Sequence, residues 1–379
     1  MDFSPVDQEL VAAVEREVFP GAVVLVRSAG EIVYRRAVGF RSVDPQLSQL
    51  SEQTSFDLAS LTKPLATTVA VMVLVKEKIL RLDDRVTRFF PNFGVQGKSH
   101  ITFRHLLSHS SGLPAWRPYY REIATRETRD GKVGFLGTRS ARDFVYTQLH
   151  REKLEAVPGE RAVYSDLGFM LLGATIEELT SVGLDQYCQE KIYQPLGLSS
   201  LSFINLETVR RRKLQPVIEH YAPTERCPWR QRVLCAEVHD DNCYAMGGVA
   251  GHAGLFGTVD DVDRLVTMLI ACYHGKHPFL PQQLVQEFWT RAAIVPGSTW
   301  CLGWDSPSAQ NSSAGEYFSS HSVGHLGFTG TSLWIDLDQQ VHVIILSNRV
   351  HPRRDNDKIQ AFRPALHNAV MRGIRGKSH

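Results

Sequence analysis

The sequence predicts an α+β fold: an antiparallel sheet is flanked by helices from the two chain ends and carries an inserted helical domain. Two hairpin patterns lie near opposite ends of the 379 residues, and mostly helical patterns lie between them. Strands from both ends pack most economically in one sheet. We therefore expect residues 1–90 and 255–379 to form a discontinuous sheet domain, residues 91–254 to form the helical domain, and the functional site to lie in the cleft between them.

The order of elements follows from hydrophobic spacing and turn residues. An amphipathic helix over residues 6–18 precedes the first hairpin, whose turn signal is Ser28-Ala-Gly-Glu31. The second hairpin turns at Asp338-Gln-Gln, and a final helix is predicted over about residues 358–372. The predicted strands cover residues 22–26, 32–38, 331–337 and 341–346. The terminal helices are expected to cover the sheet that these strands form.

The charge and the cysteine content of the chain indicate which kinds of partner and which cell compartment to expect. Lys and Arg number 42 against 40 Asp and Glu, a net charge of +2, which gives no reason to expect binding to nucleic acid or to a membrane. The polar start shows no secretory leader, so we expect a cytoplasmic protein. The six cysteines show no Cys-x-x-Cys pairing and are expected to be reduced, with a metal site at Cys227, Cys235 and Cys243 as the weaker alternative.

The stretch Asp57-Leu-Ala-Ser60-Leu-Thr-Lys63 places a serine and a lysine three residues apart, just before the apolar run of residues 69–75. On a helix this spacing puts both side chains on one face. A serine hydroxyl becomes a good nucleophile when a neighbour takes its proton, to which a lysine can contribute. A helix cap followed by a surface lysine has the same spacing, so the pair needs partners elsewhere. The apolar run predicts a helix buried on every side.

Tyr164 is the first candidate partner, just before a predicted helix over residues 169–179. An unperturbed phenol has a pKa near ~10, and beside Lys63 its anion would be favoured. Tyr164 would then act as the base toward Ser60. The alternative is a core tyrosine followed by a helix-capping Asp166.

The second candidate is His325-Leu-Gly327-Phe328, which precedes the strand predicted at residues 331–337. Glycine at position 327 would let a substrate lie along the strand edge. The free N–H of Phe328 would form an oxyanion hole with the N–H of Ser60. The alternative is a glycine-rich turn with a surface histidine.

Three motifs together resemble those of the serine β-lactamase and penicillin-binding-protein superfamily, in their order and in their separations. They are Ser60-Leu-Thr-Lys63, Tyr164-Ser-Asp166 and His325-Leu-Gly327. The likeness is greatest to its class C β-lactamase, D-aminopeptidase and esterase branch, and it extends over about residues 15–350. Flanking segments that match include Leu82-Asp-Asp84, His105 to Pro114, Gly251 to Gly257 and Gly327 to Asp336. The resemblance implies a β-lactamase-like fold and a serine hydrolase without metal or cofactor.

The same resemblance implies a role for each motif residue. Ser60 is acylated, Lys63 and Tyr164 exchange protons, and water hydrolyses the acyl-enzyme. The residues implied in substrate binding are Asp166, His325, Gly327 and Phe328.

Three departures from the family pattern bear on the substrate. Asp166 replaces the asparagine usual in class C β-lactamases, and an acid there would favour the protonated form of Lys63. His325 and Leu326 replace the lysine and threonine of Lys-Thr-Gly. That lysine helps to hold a substrate carboxylate, whereas a histidine is mostly uncharged at neutral pH. These departures count against an efficient β-lactamase.

The sequence therefore favours an esterase-like hydrolase of a small ester or amide. The runner-up is a D-amino-acid peptidase or β-lactamase acting on cell-wall-derived or β-lactam substrates. A non-catalytic ligand sensor is the alternative from another class. The spacing of His105 and His109 leaves a zinc site as a further, weaker alternative, although the glutamate of His-Glu-x-x-His is missing.

Overall fold

A computed structural model describes residues 1–129, 134–213 and 215–376. The strands are β1 Gly21–Ser28, β2 Glu31–Ser42, β3 Ser48–Gln49, β4 Phe56–Asp57, β5 Ser202–Phe203, β6 Arg226–Cys227, β7 Arg232–Val233, β8 Leu255–Gly257, β9 Ser322–Leu326, β10 Ser332–Asp336 and β11 Val341–Ser347. The main sheet is antiparallel, with the order β3-β2-β1-β11-β10-β9. The predicted joining of both hairpins into one sheet is confirmed, because β1 pairs with β11.

The helices are α1 Ser4–Glu15, α2 Val69–Lys76, α3 Phe103–Leu107, α4 Tyr119–Arg129, α5 Arg139–Leu149, α6 Asp166–Thr180, α7 Leu184–Cys188, α8 Leu206–Arg212, α9 Asp241–Ala245, α10 Val259–Tyr273, α11 Gln282–Phe288 and α12 Ile359–Arg375. The region around residues 205–240 holds α8 and the small β6–β7 hairpin. The α+β class predicted from the sequence is confirmed.

Both faces of the main sheet are buried, and alternate residues of a strand enter different cores. In β1, Val23 and Leu25 join the core that contains α2, α6 and α10. Val24 and Val26 instead join the core that contains α1 and α12. The terminal helices therefore cover one face of the sheet, as predicted, and the central helix α2 packs on the other.

The candidate nucleophile opens a helical run that is largely buried. A 3₁₀ turn at Ala59–Leu61 continues as a π-helical segment, Lys63–Thr68, and then as α2. By length and composition the stretch Ala59–Lys76 resembles a membrane span, but 83% of it is buried inside the protein. The predicted all-round burial of this helix is confirmed, and it serves as the central support of the site.

The strand that carries His325 is the main element that the sequence patterns miss. β9 forms the edge of the main sheet and pairs with β10, so that His325 lies opposite Leu333. Its sequence, Ser-Val-Gly-His-Leu, has one β-branched residue and a glycine, and therefore little strand propensity. Hydrogen bonding to β10 therefore stabilises a strand that the local sequence alone does not favour.

Candidate active site

A strained residue immediately before Ser60 sets the direction of the chain at the candidate nucleophile. Ala59 has a left-handed backbone, with φ at +47°, which costs about 1–2 kcal/mol for a residue other than glycine. The N–H of Ala59 donates to Asp57 Oδ1 at 2.9 Å, and the hydroxyl of Thr62 donates to the Ala59 carbonyl at 2.6 Å. These bonds hold the turn that presents Ser60, and sequence patterns give no sign of it.

Lys63 is completely buried and makes three hydrogen bonds. Its Nζ lies 3.1 Å from Ser60 Oγ, 2.7 Å from Asp166 Oδ1 and 3.1 Å from the His252 carbonyl. The serine and the lysine therefore share one face of the helix, as their spacing predicts. The carboxylate of Asp166 provides the counter-charge that a buried ammonium needs.

Tyr164 completes the group around the hydroxyl. Its phenol is in polar contact with the side chains of both Ser60 and Lys63, and Lys63 Nζ lies 4.7 Å from the centre of its ring. Tyr164 is not a helix residue, since Ser165 caps α6 through Gly168 and Asp166 is the first helical residue. The structure thus brings all three predicted catalytic residues together.

His109 holds Tyr164 in place from behind. Its carbonyl accepts from Val163 N at 2.8 Å and its Nδ1 accepts from Ser165 N at 3.0 Å, so both neighbours of Tyr164 are fixed. The His109 ring lies 4.7 Å from the Tyr164 ring, centre to centre. His109 lies beyond the end of α3 with φ at +55°, so it does not share a helix face with His105 as the zinc alternative requires.

The charges of the site favour a resting state in which Lys63 and Tyr164 both carry their protons. Burial alone lowers the pKa of Lys63, but Asp166 and Tyr164 raise it, and it lies above its ordinary value. Burial raises the pKa of Tyr164 and outweighs the nearby Lys63 charge. The prediction that Asp166 favours protonated Lys63 agrees with this. Lys63 does lower the pKa of Tyr164, as expected, but burial and the Asp166 charge outweigh it, so the phenolate is not the resting form.

The glycine-rich segment of residues 247–257 packs directly behind Lys63. A Cβ at Gly251 would lie 2.0 Å from the Phe169 carbonyl, so only glycine allows this approach to α6. The Gly251 carbonyl accepts from Thr67 Oγ1 at 2.7 Å, while the next carbonyl, of His252, accepts from Lys63. The His252 ring is held by Asp240 Oδ1 at 2.9 Å. The glycines thus let the loop come close enough for the His252 carbonyl to accept a hydrogen bond from the Lys63 ammonium.

The predicted oxyanion hole lies between two segments that are tied to each other. Thr329 Oγ1 donates to the Asp57 carbonyl at 2.7 Å, and Thr331 Oγ1 donates to the Leu58 carbonyl at 3.1 Å. Within the described chain, the N–H groups of Ser60 and Phe328 have no hydrogen-bond acceptor, and both residues line one cavity. Two free N–H donors on residues that line a cavity beside a nucleophile are placed to stabilise a developing oxyanion.

His325 lies in the same cavity as a neutral side chain. Burial, together with the charge of Lys63, lowers the pKa of His325 to about 3. Its Nδ1 lies 2.9 Å from the Leu326 carbonyl and therefore carries the proton, while the buried Nε2 has no hydrogen-bond partner among the described residues. His325 can accept a hydrogen bond from a substrate but cannot supply a positive charge, in line with the sequence-based expectation.

The cavity has a volume of about 950 Å³ and is lined by residues from many parts of the chain. Besides the predicted residues, its walls include Trp116, Asp240, His252, Trp300, Arg349 and Arg363. Trp300 stacks on Tyr164 at 5.5 Å between ring centres. Sequence reasoning missed Trp300 and both arginines, because only tertiary folding brings them to the site.

The remaining sequence-based alternatives lie away from this chemistry. Trp304 and Trp334 are core residues. All six cysteines are free thiols. In the described part of the chain, no cluster of three or more His, Cys, Asp or Glu residues is arranged to hold a metal ion.

Comparison with known proteins agrees with the motifs. The family model described as Beta-lactamase matches residues 6–365. A protein of Escherichia coli (strain K12), provisionally named a D-alanyl-D-alanine carboxypeptidase, is 31% identical over 367 residues, which cover 88% of this chain and 79% of that protein. The N-acetylmuramyl-L-alanine amidase of Bacillus subtilis (strain 168) is 31% identical over 361 residues, covering 89% and 80%.

A solved structure supports the fold assignment. EstCE1, described as a hydrolase with promiscuous acyltransferase activity, superposes with a TM-score of 0.74 at 22% identity. The match covers 97% of this chain and 98% of that one. At this identity the likeness concerns the fold alone.

Proposed function

Since the chain belongs to the β-lactamase family of serine hydrolases, we propose that Ser60 attacks the carbonyl of an ester or amide and carries its acyl group as a covalent intermediate. The observation that supports this most directly is the contact of 3.1 Å between Lys63 Nζ and Ser60 Oγ, in a cavity that the Tyr164 phenol also faces. A buried amine and phenol around one hydroxyl are suited to move its proton.

In the proposed reaction, the active form of the site has lost one proton from the Lys63–Tyr164 pair. This pair takes the Ser60 proton as Oγ bonds to the substrate carbonyl carbon, and the N–H groups of Ser60 and Phe328 hold the oxyanion. The intermediate collapses, and the departing alcohol or amine takes that proton. Water then attacks the acyl-enzyme, gives a proton to the pair, and Ser60 leaves with it as the acid is released.

We place small esters and amides first among the substrates. A neutral His325 cannot replace the lysine that helps family members to hold a β-lactam carboxylate. We therefore expect p-nitrophenyl acetate or butyrate to be hydrolysed far better than nitrocefin, measured as kcat/KM. Equal or faster turnover of nitrocefin would reverse this order.

A second candidate is an amide of a cell-wall-derived peptide. The relatives with about 30% identity carry the names of a D-alanyl-D-alanine carboxypeptidase and an N-acetylmuramyl-L-alanine amidase. The cavity of about 950 Å³ has room for a substrate larger than a simple acetate ester. Release of D-alanine or of L-alanine peptides from muropeptides, followed by mass spectrometry, distinguishes this candidate from a simple esterase.

A fluorophosphonate probe tests whether Ser60 is the nucleophile. We expect the wild type to be labelled and Ser60→Ala to remain unlabelled, with p-nitrophenyl ester hydrolysis lost as well. Tyr164→Phe should lower kcat by about 10²–10⁴-fold, with little change in thermal midpoint, because it removes only the group that passes the proton. A wild type that takes up no label would instead indicate the non-catalytic sensor, and full activity of Tyr164→Phe would leave Lys63 as the only base.

A further inference from the structure

A histidine in the cavity wall is paired with a buried carboxylate, and the reaction described above uses neither group. His239 lines the cavity and is 4% exposed. Its Nε2 lies 2.8 Å from Oε2 of Glu225, which is itself buried. Because an ionised carboxylate only accepts hydrogen bonds, Nε2 carries the proton, and the lone pair of the neutral ring lies on Nδ1.

Glu225 is suited to hold the ring in this form. Burial alone would raise the pKa of Glu225, but hydrogen bonds from His239 and Arg354 outweigh burial and hold that pKa below its ordinary value. Arg354 pairs with Asp241 as well, so it is fixed from two sides. It supplies the positive charge that the buried carboxylate needs. The imidazole is therefore not required as a counter-ion.

The second ring nitrogen of His239 is free. Its Nδ1 makes no hydrogen bond to any of the described residues. Some other ring nitrogens near the site, such as His325 Nε2 and His252 Nδ1, are closed off from solvent without a partner, but His239 Nδ1 is not one of them. A free lone pair on a residue that lines the cavity is able to accept a hydrogen bond from water.

His239 is also attached to both segments of the predicted oxyanion hole. Its backbone N–H donates to Asp57 Oδ2 at 2.6 Å, and the other oxygen of that carboxylate accepts from Ala59, next to Ser60. Its ring stacks on the Phe328 ring, with 5.7 Å between centres and 20° between planes. These contacts place His239 beside the carbonyl group of an acyl chain on Ser60.

We propose that His239, oriented by Glu225, holds the water that hydrolyses the acyl-enzyme. This inference rests on the proposed function, because it concerns the second half of the same reaction. A carboxylate that fixes one nitrogen of a histidine leaves the other in a defined direction, which is the common way to orient such a group. The proposal gives the His239–Glu225 pair a role in deacylation alone, since the attack of Ser60 on the substrate needs no water.

In this step the water donates one O–H to His239 Nδ1 and has its other proton available to the Lys63–Tyr164 pair. Its oxygen bonds to the acyl carbon, the carbonyl electron pair moves onto the oxyanion, and that second proton passes to the pair. When the intermediate collapses, the bond from the acyl carbon to Ser60 Oγ breaks and Oγ takes this proton. The released acid keeps the hydrogen that faced His239 and loses it to solvent.

The test measures acylation and deacylation of Ser60 separately. With p-nitrophenyl butyrate in a stopped-flow instrument, release of p-nitrophenol in the first turnover gives the acylation rate. Decay of the butyryl adduct, followed by intact mass spectrometry after an acid quench, gives the deacylation rate. Where the adduct does not accumulate, kcat is the lower limit of that rate.

His239→Phe keeps a ring against Phe328 and the backbone bond to Asp57, but it removes both ring nitrogens. We expect deacylation to slow by about 10²-fold, the usual cost of misplacing a reacting group, while the acylation rate does not change. The variant should therefore show a burst of p-nitrophenol and accumulate the butyryl adduct. Damage to the oxyanion hole would instead slow both steps, because each passes through an oxyanion.

Glu225→Gln tests the pair from outside the cavity, which Glu225 does not line. Glutamine has the same shape, but its single oxygen has to serve both His239 and Arg354. The ring is then held less firmly, so deacylation should slow by less than in His239→Phe, again with unchanged acylation. This variant carries the test if His239→Phe does not fold.

His321→Phe is the matched control. His321 also lies beside a carboxylate, Asp338, at 3.1 Å, but its side chain is 73% exposed and outside the cavity. Both rates should stay at the wild-type value. The proposal is overturned if His239→Phe deacylates as fast as the wild type, if it slows acylation equally, or if His321→Phe has the same effect. Failure of the wild type and His239→Phe alike to form any butyryl adduct would instead reject the proposed acyl-enzyme, and this inference with it.

Discussion

Asp166 is the single residue whose chemistry most distinguishes this site from the class C pattern. Its carboxylate lies 2.7 Å from Lys63 Nζ and raises the pKa of Lys63 and also that of Tyr164. In the proposed reaction, the Lys63–Tyr164 pair has to lose one proton before Ser60 can react. We therefore expect kcat/KM for p-nitrophenyl butyrate to rise toward alkaline pH.

Asp166→Asn removes the negative charge while keeping an acceptor of the same shape. The pKa of both partners should fall, so the rising limb of kcat/KM against pH should move to lower pH by about one unit or more. Asp305→Asn is the control, because Asp305 lines the same cavity but makes no hydrogen bond to Lys63 or Tyr164. An unmoved limb in Asp166→Asn would show that another group controls the titration.

Some residues of the site could be predicted from local sequence rules, and others could not. Ser60 and Lys63 could be predicted because helix geometry alone brings positions three apart together. Tyr164, His325 and Phe328 needed the resemblance, because no local rule joins positions so far apart. The strained backbone of Ala59 and the hydrogen bond from Ser165 N to His109 could not be predicted from the sequence, since both depend on how the folded chain is arranged.

At the scale of elements, the turn between β9 and β10 is held against the segment that precedes the nucleophile. A Cβ at Gly327 would lie 1.9 Å from Thr331 Oγ1 and 2.8 Å from the Leu58 carbonyl. Even the smallest side chain therefore pushes the turn away from Ser60. We expect Gly327→Ala to lower kcat by about 10²–10³-fold, the usual effect of losing one oxyanion donor.

Gly168→Ala provides the control for that substitution. Gly168 also lies near the site, in α6, but a Cβ there would meet nothing closer than 3.7 Å. Its activity should stay close to that of the wild type, and alanine should favour the helix. Equal loss of kcat in both variants, measured with p-nitrophenyl butyrate, would argue against a specific need for glycine at the turn.

Elements with local signals were predicted well, and elements without them were not. Both hairpins combine β-branched runs with short turns, so their sequences alone favour pairing. β9 has little propensity of its own and is a strand because β10 lies beside it. The many glycines of residues 247–257 favour close backbone packing, which the contact of Gly251 with α6 requires, but they do not indicate which surface is contacted.

At the scale of the whole molecule, the site depends on segments from both halves of the chain. Residues 57–63 open the central helix, whereas residues 325–331 belong to the far end of the sheet. The cavity between them also takes its walls from residues 164–166 and 239–253. The division into domains at residues 90 and 255, and the cytoplasmic location, remain predictions. Packing of the helices on the sheet therefore determines whether the site exists at all.

A buried ion pair between Asp263 on α10 and Arg27 on β1 joins this helix to the sheet. Its contribution to the packing of helix on sheet can be tested. Asp263 accepts from Arg27 on β1 at 3.0 and 2.6 Å and lies 2.7 Å from His342 Nε2 on β11. Arg27 and His342 are cross-strand neighbours, and Asp263 is 2% exposed. Loss of the carboxylate would leave the Arg27 charge without its partner.

Asp263→Ala should lower the free energy of unfolding by about 3–5 kcal/mol, the usual cost of breaking a buried ion pair, measured by urea denaturation. kcat/KM of the folded fraction should not change, because Asp263 does not line the cavity. Asp355→Ala is the control, since its pair with Arg353 is exposed and 3.8 Å long, and its urea midpoint should match that of the wild type.

The same carboxylate gives a pH dependence with a definite sign. Burial alone raises the pKa of Asp263, but hydrogen bonds from His342 and Arg27 outweigh it and hold that pKa below the ordinary 3.8. A carboxyl with a lowered folded-state pKa stabilises the protein above its unfolded pKa, and this stabilisation is lost as pH falls through the folded value. The wild type should therefore exceed Asp263→Asn in urea midpoint at pH 7, and the difference should shrink below about pH 4. A difference that stays constant down to acid pH would mean that shape, rather than charge, joins α10 to the sheet.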